Sequence, residues 1–298
     1  MPRAHIDDGP MSVALADRGF TLALGGGGAR GWAHVGVARA LRDRGLGPAR
    51  IVGTSMGALV GAGLAAGRTP EEIVQAAGRL RVYRLVRKRG RFALFDPRPL
   101  LERLALDMGD PQIEDLPTPL GVTAFDLVAG RPTLITRGRL TDALERSIAV
   151  PLLFPPCRDA QGVWCDAGPW EGVPVSLARA WAPDDPVVGV FVDSPKPGLL
   201  ASRYGAAFLR RAAARLGVGV NGDPLTARRY LALLASRWAD PVHHEPPDLL
   251  IAPRLGLTNA IQLGRVAQMV GRGERDGAIA LSDAAVKPRR GKASVYAA

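Results

Sequence analysis

A run of four consecutive glycines, residues 25–28, directly follows the short apolar segment 20–24. Glycine has no Cβ atom, so consecutive glycines can turn several backbone N–H groups toward one point. After Gly31, apolar residues recur every third position as far as Leu41, which predicts a helix. A strand, a glycine loop and a helix in this order predict an α/β fold whose loop can bind an anion at the start of the helix.

The glycine loop fits the pattern of a dinucleotide site, since residues 26–31 read G-G-G-A-R-G. Such a site also requires an acidic residue at the end of the second strand, to hold the ribose. Here that strand, residues 51–52, leads into Gly53, Thr54 and Ser55, and no acid is present. A P-loop is excluded because no Gly-Lys-Ser/Thr follows the glycines. A nucleotide-binding oxidoreductase is therefore disfavoured, and a transient oxyanion is the anion that the loop is expected to bind.

The second strand ends in the pentapeptide G-T-S-M-G, residues 53–57, and an Ala- and Gly-rich segment follows to about residue 66. A G-x-S-x-G sequence between a strand and a helix is typical of a nucleophile elbow, a sharp turn that exposes its serine at the edge of a sheet. Gly53 and Gly57 are required because the turn crowds its neighbours and leaves no room for side chains. Ser55 is therefore the predicted nucleophile.

A serine nucleophile needs a base, and the chain has four histidines. Ser55, Asp166 and His243 occur in the chain order of an α/β-hydrolase triad, so a Ser-His-Asp esterase is one hypothesis. The histidine pair 243–244 follows an Asp-Pro, which predicts a solvated loop, and His34 lies on the first helix. Triad enzymes usually place several elements between the glycine loop and the elbow, whereas one helix separates them here. The spacing puts the loop and the elbow on adjacent strands and weighs against the triad.

The composition fits one globular α/β domain, with 298 residues of which 47% are hydrophobic and 22% are charged. Residues 1–19 are predicted to be a flexible leader, 20–286 the domain and 287–298 a basic tail. The leader lacks the apolar stretch of a secretory signal, and no apolar segment is long enough to span a bilayer. These features predict a cytoplasmic protein in which the two cysteines, Cys157 and Cys165, are free thiols.

A formal net charge of +11 favours anionic partners. Seven arginines and lysines lie within the thirteen residues 79–91, either as a solvated surface or as a peripheral contact with an anionic membrane. No nucleic-acid-binding motif accompanies the charge, so no nucleic-acid partner is expected.

Further secondary structure follows from the hydrophobic pattern. Thr69 and Pro70, followed by two glutamates, predict the start of a helix. Strands are predicted at 119–125, 131–136, 162–165, 187–192 and 248–252, a helical pair at 199–239 and a final helix at 259–284.

The chain closely resembles the patatin-like phospholipases in two segments, residues 22–37 (LALGGGGARGWAHVGV) and 51–61 (IVGTSMGALVG). It looks most like the bacterial branch similar to lysophospholipases and neuropathy-target-type esterases. The resemblance continues through residues 146–156 (RSIAVPLLFPP) and the Asp166-Ala-Gly sequence, and covers about residues 20–193. It implies a three-layer α/β/α fold with a mainly parallel central sheet.

The resemblance also implies a mechanism and a substrate. Ser55 would be the nucleophile and Asp166 the base of a Ser-Asp dyad, with no metal and no cofactor. The substrates would be carboxylic esters of phospholipids or lysophospholipids. Backbone amides at three glycines, with an arginine nearby, would form the oxyanion hole: Gly26, Gly27, Gly28 and Arg30. The remaining positions of the family motifs correspond to Gly31, Gly53, Gly57, Ala167 and Gly168.

Two positions depart from the family pattern. Ala167 stands where the family usually has glycine, and Gly172 stands where it usually has asparagine. Because alanine resists a positive φ angle, the loop that holds Asp166 is expected to differ from that of the family. A patatin-fold interaction protein with weak or no catalysis is therefore a further hypothesis. If Asp166 is the base, partial desolvation is expected to raise its pKa above the usual value of about 3.9.

Overall fold

The computed structural model describes residues 15, 19–80, 87–88, 95–150, 153–192, 245–256 and 264–286. Several features predicted from the sequence lie outside these residues: the helical pair at 199–239, the histidine pair 243–244, the basic tail, and the side chains of the cationic segment 79–91.

The strands form one large sheet and a small two-stranded one. The strands are β1 (Thr21–Leu24), β2 (Arg50–Thr54), β3 (Arg87–Lys88), β4 (Phe95–Asp96), β5 (Leu120–Asp126), β6 (Arg131–Ile135), β7 (Cys157–Asp159), β8 (Gly162–Cys165), β9 (Val187–Val190) and β10 (Leu249–Ile251). Strands β10, β9, β1, β2 and β5 pair in parallel, in that order. Strand β5 also pairs antiparallel with β6 and with β8, and β8 pairs antiparallel with β7. The centre of the sheet is thus parallel, as predicted, and one side of it is antiparallel.

Seven α-helices occur in the described residues: α1 (Ala33–Arg42), α2 (Met56–Ala65), α3 (Pro70–Leu80), α4 (Arg98–Met108), α5 (Leu140–Ile148), α6 (Val175–Trp181) and α7 (Val266–Val286). Short 3-10 helices span Gly28–Trp32 and Ile113–Asp115. The helix start predicted at Thr69 is confirmed, because the Thr69 hydroxyl accepts the Glu72 N–H at 3.2 Å and the Glu72 carboxylate accepts the Thr69 N–H at 2.7 Å.

The sheet is covered on both faces, because alternate residues of a strand point to opposite sides. Leu22, Leu24 and Ile51 belong to a large apolar core on one side, to which α1, α2 and α7 contribute. Ala23 and Val52 belong to a second core on the other side, to which α6 contributes. This arrangement of helix, sheet and helix is the three-layer α/β/α fold predicted from the sequence.

Helix α7 packs closely against α1, the helix that follows the glycine loop. A methyl group at Gly36 would lie 1.9 Å from the Val270 carbonyl oxygen, and one at Gly273 would lie 2.1 Å from the Ala33 carbonyl oxygen. Glycine at both positions therefore lets the two backbones touch. The final helix was predicted from the sequence, although it begins at Val266 rather than at residue 259.

Candidate active site

Ser55 lies in a sharp turn between β2 and α2, as the elbow motif predicts. Its φ of 56° and ψ of −121° are a left-handed conformation that residues with a side chain rarely adopt. A methyl group at Gly53 would lie 2.6 Å from the Gly57 carbonyl oxygen, and one at Gly57 would lie 2.3 Å from the Leu24 carbonyl oxygen. Both flanking positions therefore exclude any side chain, which is the reason that the sequence suggested.

The strand register brings Ser55 and Asp166 to one level of the sheet. Strand β6 pairs along one side of β5, so β2 and β8 must share the other side. Strand β2 ends with Thr54 opposite Thr123, and β8, which runs the other way, ends with Cys165 opposite Phe125. Ser55 follows the last residue of β2, and Asp166 follows the last residue of β8. Both therefore lie beside the single β5 residue between Thr123 and Phe125.

The glycine loop closes the gap between these two turns. A methyl group at Gly26 would lie 3.6 Å from the Ser55 Cβ and 4.0 Å from the Gly168 Cα. Gly168 in turn donates its N–H to the Asp166 Oδ1 at 2.6 Å. Ser55 is 6% exposed and Asp166 is 4% exposed. A hydroxyl, a carboxylate and the glycine loop are thus assembled in a place that is largely shielded from solvent.

The C-terminal end of α5 holds the backbone of both residues. The Ser147 hydroxyl, which is fully buried, accepts the Ser55 N–H at 2.8 Å. Two residues further on, the Ala149 carbonyl accepts the Asp166 N–H at 3.1 Å. Ser147 was not predicted as a site residue, although it lies within the segment 146–156 that resembles the family.

The peptide unit between Gly25 and Gly26 is fixed from both ends. The His34 Nε2 lies 2.8 Å from the Gly25 carbonyl oxygen, and the Gly26 N–H donates to the Gly172 carbonyl at 3.2 Å. Burial lowers the pKa of His34 to about 4, so the ring is neutral near pH 7 and its Nε2–H is the donor.

This pairing separates the glycine amides predicted for the oxyanion hole into two groups. The Gly26 N–H is occupied, so Gly26 does not offer a free donor in this structure. Within the described part of the chain, no acceptor is bonded to the N–H of Gly27 or Gly28. Gly28 has a φ of 55°, which glycine adopts without strain. Arg30, the fourth predicted member, is half-buried in the same 3-10 helix.

The loop after Asp166 accommodates both departures from the family pattern. Ala167 is buried, and it is not among the described residues with a side chain that have a positive φ, so the strain expected there does not arise. Gly172 contributes its carbonyl to the Gly26 N–H, a role that needs no side chain. Ala167 therefore fits this loop without strain, and the expected difference from the loop of the family stays a prediction.

Other candidate groups in the described residues offer no alternative centre. Both cysteines are free, and burial raises the pKa of Cys157 to about 12, so its thiol is a poor nucleophile. No group of three or more His, Cys, Asp or Glu side chains could hold a metal ion within the described ranges. None of the described helices combines the length and apolar character needed to cross a bilayer.

Comparisons with known proteins agree with this fold. The family model "Patatin-like phospholipase" matches residues 22–179. An uncharacterized NTE family protein of Mycobacterium tuberculosis is 35% identical over 199 residues, which are 62% of this chain and 51% of the relative. The lysophospholipase NTE1 of Mycosarcoma maydis is 30% identical over 200 residues, which are 60% of this chain and 10% of the relative.

The match spans about half the length of the first mycobacterial relatives. Among solved structures, the crystal structure of VipD from Legionella pneumophila aligns with a TM-score of 0.56 at 16% identity. The alignment covers 89% of this chain and 66% of VipD, and it supports the fold.

Proposed function

Since the chain belongs to the patatin-like phospholipase family, we propose that it hydrolyses carboxylic esters of phospholipids or lysophospholipids through a dyad of Ser55 and Asp166. The observation that carries the proposal is the strand register, which delivers both residues to one position beside β5 from opposite directions. Lipid substrates follow from the family and from the printed names of the lysophospholipase and esterase relatives.

In the proposed first step, the Ser55 Oγ attacks the ester carbonyl and its proton passes to the Asp166 carboxylate. The negative charge that develops on the carbonyl oxygen is stabilised by the N–H groups of Gly27 and Gly28, with the cation of Arg30 nearby. Collapse of this intermediate breaks the bond to the alcohol, which takes the proton from Asp166. An acyl group then remains on Ser55.

In the second step, Asp166 removes a proton from a water molecule as the water attacks the acyl carbonyl. The fatty acid leaves, and the proton returns to Ser55. Burial of Asp166 satisfies one condition of this scheme, because a carboxylate that is largely shielded from water is a better base than an exposed one. The raised pKa of Asp166 stays a prediction, which the pH dependence of kcat/KM tests.

The test is ester hydrolysis by three variants that are checked for folding by circular dichroism. Ser55→Ala and Asp166→Asn should each lower kcat/KM on a lysophospholipid by about 10,000-fold or more. A double variant, His243→Ala with His244→Ala, should retain activity.

A folded but inactive double histidine variant would favour the Ser-His-Asp triad instead. A wild-type protein that hydrolyses no ester and does not react with a serine-directed phosphonate would favour the non-catalytic interaction protein.

Peripheral contact with anionic membranes is a second part of the proposal, together with a cytoplasmic location. It rests on the net charge of +11 and on the seven cations of segment 79–91. Sedimentation with vesicles should increase with the fraction of anionic lipid and decrease with salt. Sedimentation that does not depend on anionic lipid would contradict it.

A further inference from the structure

An apolar cavity of about 80 Å³ lies beside the candidate site, between α2, α3 and α4. Met56, Leu59, Val60 and Gly63 line it from one face of α2, at the spacing of neighbouring turns of a helix. Apolar residues of α3 and α4, among them Ala76 and Leu104, form the opposite walls.

The only charged residues among the described ones that line the cavity are Arg68 and Asp107. Arg68 follows the C-terminal end of α2, and its guanidinium donates to the Asp107 carbonyl oxygen. The N-terminal end of α2, where Met56 lies, has apolar lining. The cavity therefore suits a hydrocarbon chain that extends along α2 from Met56.

Both parts of the candidate site contribute directly to the cavity wall. Met56 is the residue after Ser55, and Trp32 is the last residue of the 3-10 helix that begins in the glycine loop. A methyl group at Gly31 would lie 2.3 Å from the Met56 Cγ, so the Met56 side chain rests against the glycine loop. An unbranched thioether side chain at this boundary can change rotamer more easily than a branched one.

We propose that this cavity binds the acyl chain of the ester that Ser55 attacks, and that its size selects the methylenes nearest the carbonyl. This inference rests on the proposed function. A cavity of 80 Å³ has room for roughly five to eight water-sized groups, and a methylene is about that size. The eight residues from Met56 to Gly63 span about 10 Å of helix, which fits a chain of similar length.

Soluble p-nitrophenyl esters test the proposal without a membrane surface. For the wild type, kcat/KM should be about 250-fold higher on the octanoate than on the butyrate, since each of the four additional methylenes contributes about fourfold when buried. Ala76→Phe fills the cavity and should reduce this ratio to less than about 10-fold. Leu104→Ala enlarges it and should shift the preferred ester toward the dodecanoate.

Leu106→Ala is the matched control, because Leu106 lies on the same helix as Leu104 but is 80% exposed. Its ratio should equal that of the wild type. A binding measurement on Ser55→Ala is independent of catalysis: a bromo-octanoate should quench tryptophan fluorescence, and this quenching should be lost in Ala76→Phe.

The outcomes separate the two proposals. Hydrolysis that depends on Ser55, with ratios that Ala76→Phe and Leu104→Ala leave unchanged and no quenching, overturns the cavity proposal and leaves the hydrolase. Quenching that Ala76→Phe abolishes, in a protein that hydrolyses no ester, supports the acyl cavity and overturns the hydrolase. Shifted ratios together with quenching support both.

Discussion

The two halves of the candidate site are held in place by different means. The nucleophile half consists of the glycine loop, residues 25–31, and the elbow, residues 53–57. Gly25, Gly53 and Gly57 lie so close to backbone atoms that an added methyl group would clash with them, and Met56 belongs to the large core. The base half, residues 165–172, rests on a separate apolar cluster of only five buried residues. There, the nearest atom to a methyl group at Gly168 would be the Asp166 Oδ1, the end of a side chain.

This difference implies different tolerances to substitution. A clash with a backbone carbonyl cannot be relieved by a change of rotamer, so the nucleophile half requires Gly25, Gly53 and Gly57 in order to fold. A clash with the end of a side chain can be relieved by rotation of that side chain, but the side chain then points in a different direction. The base half is accordingly the half in which this chain departs from the family pattern, at Ala167 and Gly172.

The largest expected effect on stability is that of Gly57→Ala in the nucleophile half. The added methyl group would lie 2.3 Å from the Leu24 carbonyl oxygen and 2.6 Å from that of Gly25. We expect a loss of more than about 4 kcal/mol in the free energy of unfolding, measured by urea denaturation. Gly78→Ala is the control, because its position in α3 has no neighbour within 4 Å; it should be neutral or stabilising by up to about 1 kcal/mol. Equal stability of the two variants would contradict this account of the nucleophile half.

The same contrast explains what the sequence could predict. The strand, the glycine loop and the elbow were predictable because their requirements are local, a left-handed turn and missing side chains at fixed positions around Ser55. The contacts of Ser147 with Ser55, across 92 residues, and of the Gly172 carbonyl with Gly26 depend on tertiary structure, which no local pattern encodes. Asp166 was identified through the family resemblance, and its position became clear only from the register of β8.

Acid should weaken the nucleophile half through His34. The unfolded chain binds a proton at this residue below a pH of about 6.5, whereas burial lowers the pKa of His34 in the folded protein to about 4. The folded protein is therefore most stable with respect to His34 above pH 6.5, where this residue is neutral in both states. As the pH falls toward 4, protonation of the unfolded chain lowers the free energy of unfolding by about 3 kcal/mol. His34→Gln should lack this part of the pH dependence. Parallel stability-pH curves for the two proteins would show that His34 is not the cause.

Ser147→Ala should have a somewhat smaller effect. It removes the acceptor of the buried Ser55 N–H, which should reduce the free energy of unfolding by about 1–3 kcal/mol. The rate of ester hydrolysis should also decrease, because the strained backbone of Ser55 loses a restraint. Ser282→Ala, at an exposed serine of α7, should change stability by less than about 0.5 kcal/mol. An active, fully stable Ser147→Ala protein would mean that the elbow does not need this hydrogen bond.

The smallest effect on stability is expected in the base half. Gly168→Ala places a methyl group 2.9 Å from the Asp166 Oδ1, and the carboxylate can rotate away. Stability should change by less than about 1 kcal/mol, whereas kcat/KM should fall by about 100-fold because the base is displaced. The two quantities are measured by urea denaturation and by hydrolysis of a p-nitrophenyl ester. A stability loss as large as that of Gly57→Ala would remove the contrast between the two halves.

The most direct test of the central claim is the rate at which a fluorophosphonate labels the protein, with the labelled residue identified by mass spectrometry. We predict that the wild type is labelled on Ser55, and that Asp166→Asn, while folded, is labelled at least about 100-fold more slowly because the hydroxyl has lost its base. Labelling of a different serine, or equal rates for the wild type and Asp166→Asn, would contradict the assignment of Ser55 and Asp166 as one catalytic pair.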